Sequence, residues 1–194
     1  MLMDSPKQQV KLFKDQTMWQ KWLDKNYDKS DGVWIKFAKK NSGEKSVNYQ
    51  GAIEVALCYG WIDSQVKTFN DKFYLQKFSP RRAKSVWSKI NVEKADKLIK
   101  DHKMQPAGQA QIDLAKSDGR WDAAYEGQGK MQVPEDFQKA LNKNKKAKAF
   151  FEQLNRSNRY SILFRLHRSK KPETRTANIN KFVAMLEEGK KFHP

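Results

Sequence analysis

Strand-like alternation is confined to residues before Pro80, and this does most to limit what the chain can fold into. Val33, Ile35 and Phe37 alternate with Trp34 and Lys36, as on a half-buried strand. Residues 61–69 and 73–78 read as a hairpin turning at Asn70-Asp71, with Phe73 and Leu75 alternating against Tyr74 and Gln76. Pro80 ends the second strand, because proline has no N–H to give a ladder. A turn at Asn41-Ser42-Gly43 leads to an expected short return strand over 46–48. Beyond Pro80 every period is helical. The expectation is an α+β protein, with a small antiparallel sheet and helices in residues 1–132 and an all-helical part over 133–194. At 194 residues the chain can bury one good core, or two small ones packed together.

The helical periods are read as follows. Asp15 or Thr17 caps a helix carrying Trp19, Trp22, Leu23 and Tyr27 on one face, after a loose leader over 1–6. Residues 49–59 are helical, with Gly60 just past the end. Asn91 caps a helix striped with Val92, Ala95, Leu98, Ile99 and His102. Pro106 opens another, with Ala107, Ala110, Leu114 and Ala115 inward, ending at Asp118-Gly119. The loop holding Gly127 and Gly129 is the best linker or lid. Pro134 starts a terminal helical set. Phe137, Ala140 and Leu141 mark its first helix, and Ala147, Phe150, Phe151 and Leu154 its second. Ser157 caps a third, with Tyr160, Leu163, Phe164 and His167 on one stripe. Pro172 opens the last, with Ile179, Phe182, Val183 and Leu186 inward and Gly189 as its stop.

Charge narrows the partners. Thirty-nine Lys and Arg against 22 acids give a net charge of +17, which favours encounters with polyanions. Much of the excess lies on the outer faces of the terminal helices, at Lys143, Lys145, Lys146, Lys148, Arg156, Arg159, Arg165 and Arg168. Cys58 is the single cysteine, so no disulfide framework, cysteine-based zinc site or redox pair is available, and its apolar helical setting reads as an inert buried thiol. His102, His167 and His193 are scattered, none spaced with a second ligand, so no metal is expected. No P-loop, dinucleotide or nucleophile-elbow signature occurs, and no cofactor is expected. No apolar stretch is long enough to span a bilayer, and no signal peptide is visible, which points to the cytosol.

The densest chemistry runs from Gly60 to Asn91. Trp61, Asp63, Arg81, Arg82, Ser85, Trp87 and Asn91 lie there, with Arg120, Trp121 and Arg175 as further candidates. Arginine forks hold an anion and indole faces stack on whatever flat or apolar group accompanies it. An anionic small molecule or polyanion is therefore the expected partner. Single-stranded nucleic acid also combines these properties, although no helix-turn-helix, RNP or zinc-finger signature is present. A catalytic reading would make Asp63 the general base, Arg81 or Arg82 the clamp and Ser85 or Ser88 the hydroxyl. No histidine in the segment can activate a serine. An architectural reading pairs Asp63 with Arg81 or Arg82 to hold the corner, and takes Ser85 as a helix cap.

These landmarks carry a family resemblance. Trp34 with Lys39-Lys40, Gly60-Trp61-Ile62-Asp63-Ser64, Ser79-Pro80-Arg81-Arg82, Ser85 with Trp87-Ser88, and Trp121-Asp122 are similar to the YdeI/OmpD-associated, or bacteriocin-protection, proteins. Val133-Pro134 through Glu173-Thr174-Arg175 to Gly189 resembles the family's helical module. Thr176 and Asn178 stand where relatives carry further arginines. The resemblance implies a part in tolerance to envelope stress or antimicrobial peptides, and no established reaction. The expectation is a non-enzymatic binder of an anionic ligand or partner. The alternatives are a nucleic-acid-binding protein and an enzyme of unknown substrate using Asp63.

Overall fold

The computed structural model describes residues 9–127 and 129–193, so the leader expected over 1–6 lies outside it. Its contacts divide into two compact units, Met1–Trp87 with Asn91–Ala123, and Ser88–Ile90 with Ala124–Pro194.

The first unit is built on a four-stranded sheet of order β1-β2-β4-β3, from β1 (Val10–Lys11), β2 (Val33–Ala38), β3 (Trp61–Thr68) and β4 (Phe73–Pro80). The hairpin forms as its pattern requires. Asn70 Oδ1 accepts from the amides of Lys72 (3.0 Å) and Phe73 (2.9 Å), fixing the turn. β2 and β3 run antiparallel to β4, but β1 is parallel to β2, so the sheet is mixed. The return strand expected over 46–48 is absent. Ser46 Oγ instead accepts the Ala38 amide at 2.9 Å, and Val47 N–H turns to Phe13 O.

One face of this sheet meets two helices, α1 (Gln16–Asn26), capped by Asp15, and α2 (Tyr49–Cys58), capped by Asn48. Val33, Ile35, Phe37, Phe78 and Trp61 pack there with Trp19, Leu23, Ile53 and Leu57, all buried. Two indoles are tied as well as buried. Trp19 Nε1 donates to Ala52 O at 3.1 Å, and Trp61 Nε1 donates to Tyr27 O at 3.0 Å. Burial contributes roughly 2–3 kcal/mol per large apolar side chain, so this aromatic cluster is the unit's principal anchor. Gly60, at φ +71°, makes the sharp exit from α2 into β3.

Two further helices follow, α3 (Lys89–Lys100) and α4 (Pro106–Ser117). Asn91 lies inside the first turn of α3 instead of capping it. His102 falls beyond the helix end, exposed, at φ +56°. On α4 the buried residues are Gly108, Ile112 and Ala115, while Ala110 and Leu114 face outward. The glycine explains the shift, because it brings α4 against the end of α2, where no larger residue fits.

In the second unit the helices are α5 (Glu135–Lys143), α6 (Lys145–Gln153), α7 (Arg156–Arg168) and α8 (Pro172–Glu187). Phe137, Leu141, Ala147, Phe151, Ile162, Leu163, Leu166, Phe182 and Leu186 form their common core. Asn155, not Ser157, caps α7, its side chain accepting the Asn158 amide at 2.9 Å. The α7 stripe is accordingly rotated to Ile162, Leu163 and Leu166. Tyr160, Phe164 and His167 lie at its margin, half-buried.

Candidate functional site

The corner after β4 gathers several of the expected site residues. Arg81 is buried, and its guanidinium lies 3.6 Å from the ring centre of Trp87 while Nη1 donates to Val86 O at 3.3 Å. Trp87 meets Trp121 edge-on at 4.8 Å. Arg120 completes the group. Its Nη1 donates to Ser85 O (2.7 Å) and its Nε to both Asp118 oxygens (2.7 and 2.8 Å). These bonds hold the Asp118 carboxyl below the usual carboxylate range. Arg120 Nη2 and Trp87 Nε1 are buried donors without a protein acceptor. Arg82 is exposed, and its amide donates to Ser85 Oγ at 3.0 Å. Ser85 therefore closes a local turn and caps no helix, since none begins there.

Asp63 is not in that group. Its Oδ2 accepts from Tyr49 Oη at 2.8 Å and from Gln76 Nε2 at 3.2 Å, on the sheet face that carries Phe78. In place of the ion pair expected with Arg81 or Arg82, the carboxyl group takes these two uncharged donors, supplied by the first turn of α2 and by an inward-facing Gln76 only 3% exposed. Trp61 is wholly buried in the aromatic core, with Trp19 at 6.1 Å and Trp22 at 5.8 Å, both edge-on. Asn91 is half-buried on α3.

Arg175 belongs to the second unit and acts within it. It forks onto Asp136, with Nη2 to Oδ1 at 2.8 Å and Nε to Oδ2, while Nη1 donates to Leu166 O at 2.8 Å. The fork pulls the Asp136 carboxyl downward and raises Arg175. Arg175 thus ties α8 to the head of α5 and the end of α7.

Beside this tie lies a cleft of about 540 Å³ that sequence reasoning did not assemble. Arg165, Arg168 and Ser169 line it from α7, with Thr174, Asn178 and Lys181 from α8; Phe164, Phe182 and Phe192 supply apolar wall. Thr174, Asn178 and Lys181 stand at i, i+4 and i+7, and so share one helix face. Ser169 is buried. It donates to Arg165 O (2.8 Å) and accepts from Asn178 Nδ2 (2.8 Å), which locks the floor. Arg165 rests 4.1 Å from the Phe192 ring centre with Nη1 on Ser161 O, which preorganises its charge. Among the described residues none of the three cations meets a carboxylate, and the lining contains no acid. The signal that could have found this cleft was the pair of basic residues three apart on α7 facing a polar i, i+4, i+7 row on α8.

A second cavity, of about 440 Å³ in the first unit, is lined mainly by Gln16, Thr17, Gln20, Glu54, Cys58 and Lys103. Burial pushes the Cys58 thiol up to about 11, so it is no nucleophile at neutral pH. Among the described residues no cluster of His, Cys, Asp and Glu could hold a metal ion, and no helix is long and apolar enough to cross a membrane.

Two family models match the chain. Residues 11–111 match a domain of unknown function (DUF8412), a span that includes the Gly60–Ser64 and Ser79–Arg82 landmarks. Residues 130–189 match the family described as bacteriocin-protection, YdeI or OmpD-associated, and this span holds every residue of the cationic cleft except Phe192. No curated protein and no solved structure matches the chain. The chain therefore belongs to the DUF8412 family over its first half and carries, at 130–189, a domain of the bacteriocin-protection, YdeI or OmpD-associated family.

Proposed function

We propose that this chain is a bacteriocin-tolerance protein that works by binding, not catalysis, and that its C-terminal unit takes an anionic ligand into the α7–α8 cleft. The supporting observation is the composition of that cleft. Arg165, Arg168 and Lys181 converge on it without a single lining acid, beside three phenylalanines. Charge-assisted bonds from arginine favour phosphate or carboxylate oxygens, and the apolar wall suits a ligand with a ring or chain attached. Asp63 accepts from Tyr49 and Gln76 and not from Arg82 or Ser85, the clamp and hydroxyl that the catalytic reading requires, which supports binding over its use as a general base.

The test is calorimetric titration of the full chain with AMP and with pyrophosphate at low salt. Saturable binding is expected, reduced at least about tenfold in Arg165→Gln/Arg168→Gln, with the melting temperature of that variant little changed. Absence of binding to either probe at millimolar concentration, or equal binding by the variant, overturns the proposal. In cells, the same variant should fail to restore survival under bacteriocin challenge to a strain lacking the protein.

A further inference from the structure

The sheet of the first unit has a second face, turned away from α1 and α2, whose chemistry differs from the core side. The register places Trp34 opposite Lys77 and sets Lys36, Leu75 and Lys67 in one row across three strands. Phe73, opposite Ala38, and Ile62, opposite Ser79, lie on the same face, and these cross-strand positions contain no acid. The two lysines of the row do not seek carboxylates. Lys67 Nζ sits 4.6 Å from the Trp34 ring centre, and Lys36 Nζ sits 4.8 Å from that of Phe69. Their stems lie along apolar surface, which leaves Leu75 only 8% exposed. Glu44 is held by Lys72 at 2.8 Å, and Asp71 lies in the exposed β3–β4 turn. Phe69 remains 44% exposed at the open end of the edge strand β3.

We infer that this face is a binding surface for single-stranded nucleic acid, separate from the anion cleft and independent of it. Two strand spacings set Lys36 and Lys67 about 10 Å apart, with an aromatic ring under each ammonium. In the free protein Lys67 lies over the Trp34 ring, itself only 9% exposed, and Lys36 lies over the Phe69 ring, which stays 44% exposed. When a phosphate draws the ammonium away, the ring face is released at the place where the next base lies. A base then replaces the lysine on Trp34 or Phe69, so phosphate capture and stacking occur in one exchange. A duplex cannot use this exchange, because its bases are already stacked on each other. Free lysines over aromatic rings are therefore a better match to a single strand than to a duplex, an acidic peptide or a lipid surface.

The experiment is fluorescence anisotropy of a labelled twenty-nucleotide thymidine strand and of a hairpin duplex, titrated with the full chain across a salt series. The single strand is expected to bind more tightly than the duplex. Lys36→Gln/Lys67→Gln is expected to weaken it at least about tenfold and to flatten the logarithmic salt slope by about 1.4, the share of two phosphate contacts. Phe69→Ala, an exposed position, is expected to weaken binding at least about fivefold without altering the slope, which separates stacking from charge. Arg165→Gln/Arg168→Gln should bind the strand as the parent does, so failure of the cleft proposal leaves this one intact. The inference is overturned if the lysine variant binds unchanged while melting normally, or if duplex binds as tightly and Phe69→Ala is silent. It is equally overturned if the lysine variant loses only its retention on phosphatidylglycerol vesicles, which would make the face a lipid contact.

Discussion

The guanidinium of Arg81 lies 3.6 Å from the ring centre of Trp87, and both side chains are buried. A planar cation stacked on an indole is a geometry that an ammonium does not reproduce. Arg81→Lys keeps the charge while losing the stack and the fixed reach to Val86 O. The expected cost is about 1–2 kcal/mol, read as a lower urea midpoint with an unchanged slope. A variant as stable as the parent would mean that Trp87 is held by its packing on Trp121 alone.

Gly108 is where α4 passes closest to α2. A Cβ there would overlap the carbonyl oxygens of Leu57, at 2.6 Å, and Cys58, and neither is free to swing aside because both are main chain. Gly108→Ala should cost at least about 2 kcal/mol despite its better helix propensity, by forcing the two helices apart. Thermal melting decides the point. A rise in melting temperature would show that the helices can slide.

How much of this was legible in the sequence depends on how local the cause was. The β3–β4 hairpin could be read because Asn70 sets its turn with its own side chain. α2 could be read over 49–59 from its period and from Gly60 past its end, although its cap, Asn48, falls in the expected return strand that does not form. β1 could not, since two residues carry no period and their partner is 24 positions away. The α7 stripe was misphased because Ser157 and Asn155 are both competent caps, and only the backbone chose between them. At the site, the Arg/Trp corner was visible as residue types within one stretch. Asp63 was not assignable, because its partner Tyr49 comes from another element and Gln76 faces the side that alternation from Phe73 had left for solvent. The cleft needed α7 and α8 to be brought together before its charge could be counted.

Cys58 gives a pH dependence with a definite sign. Burial pushes its thiol above the ordinary value near 9.0, up to about 11, outweighing the nearby Lys103. The folded state therefore prefers the neutral thiol. This stabilisation is fully present below pH 9 and is lost as pH rises through about 11. Cys58→Ala should flatten the fall in unfolding free energy between those values. In the parent at neutral pH, a thiol-specific aromatic disulfide reagent should label Cys58 only slowly until denaturant is added, since the thiolate fraction is on the order of 0.0001. Fast labelling at pH 7 would refute the burial.

The Arg175–Asp136 fork gives the opposite sign. Hydrogen bonds from Arg175, above all, lower the Asp136 carboxyl, so the pair contributes stability above the ordinary carboxylate range and loses it as pH falls through the depressed value. The groups are partly exposed, and solvent screening limits the contribution to about 0.5–1 kcal/mol. Arg175→Lys removes more than the fork, because Leu166 O, which also accepts from the Ser169 amide at 3.0 Å, loses its second donor and with it the link from α8 to the end of α7. That variant should therefore be destabilised at neutral pH by more than Asp136→Asn, and both should show a shallower acid transition than the parent. The distinguishing measurement is urea unfolding at pH 7 and pH 3. Equal losses for both variants would assign the whole effect to the ion pair, and the carbonyl contact that joins α8 to α7 would then carry nothing.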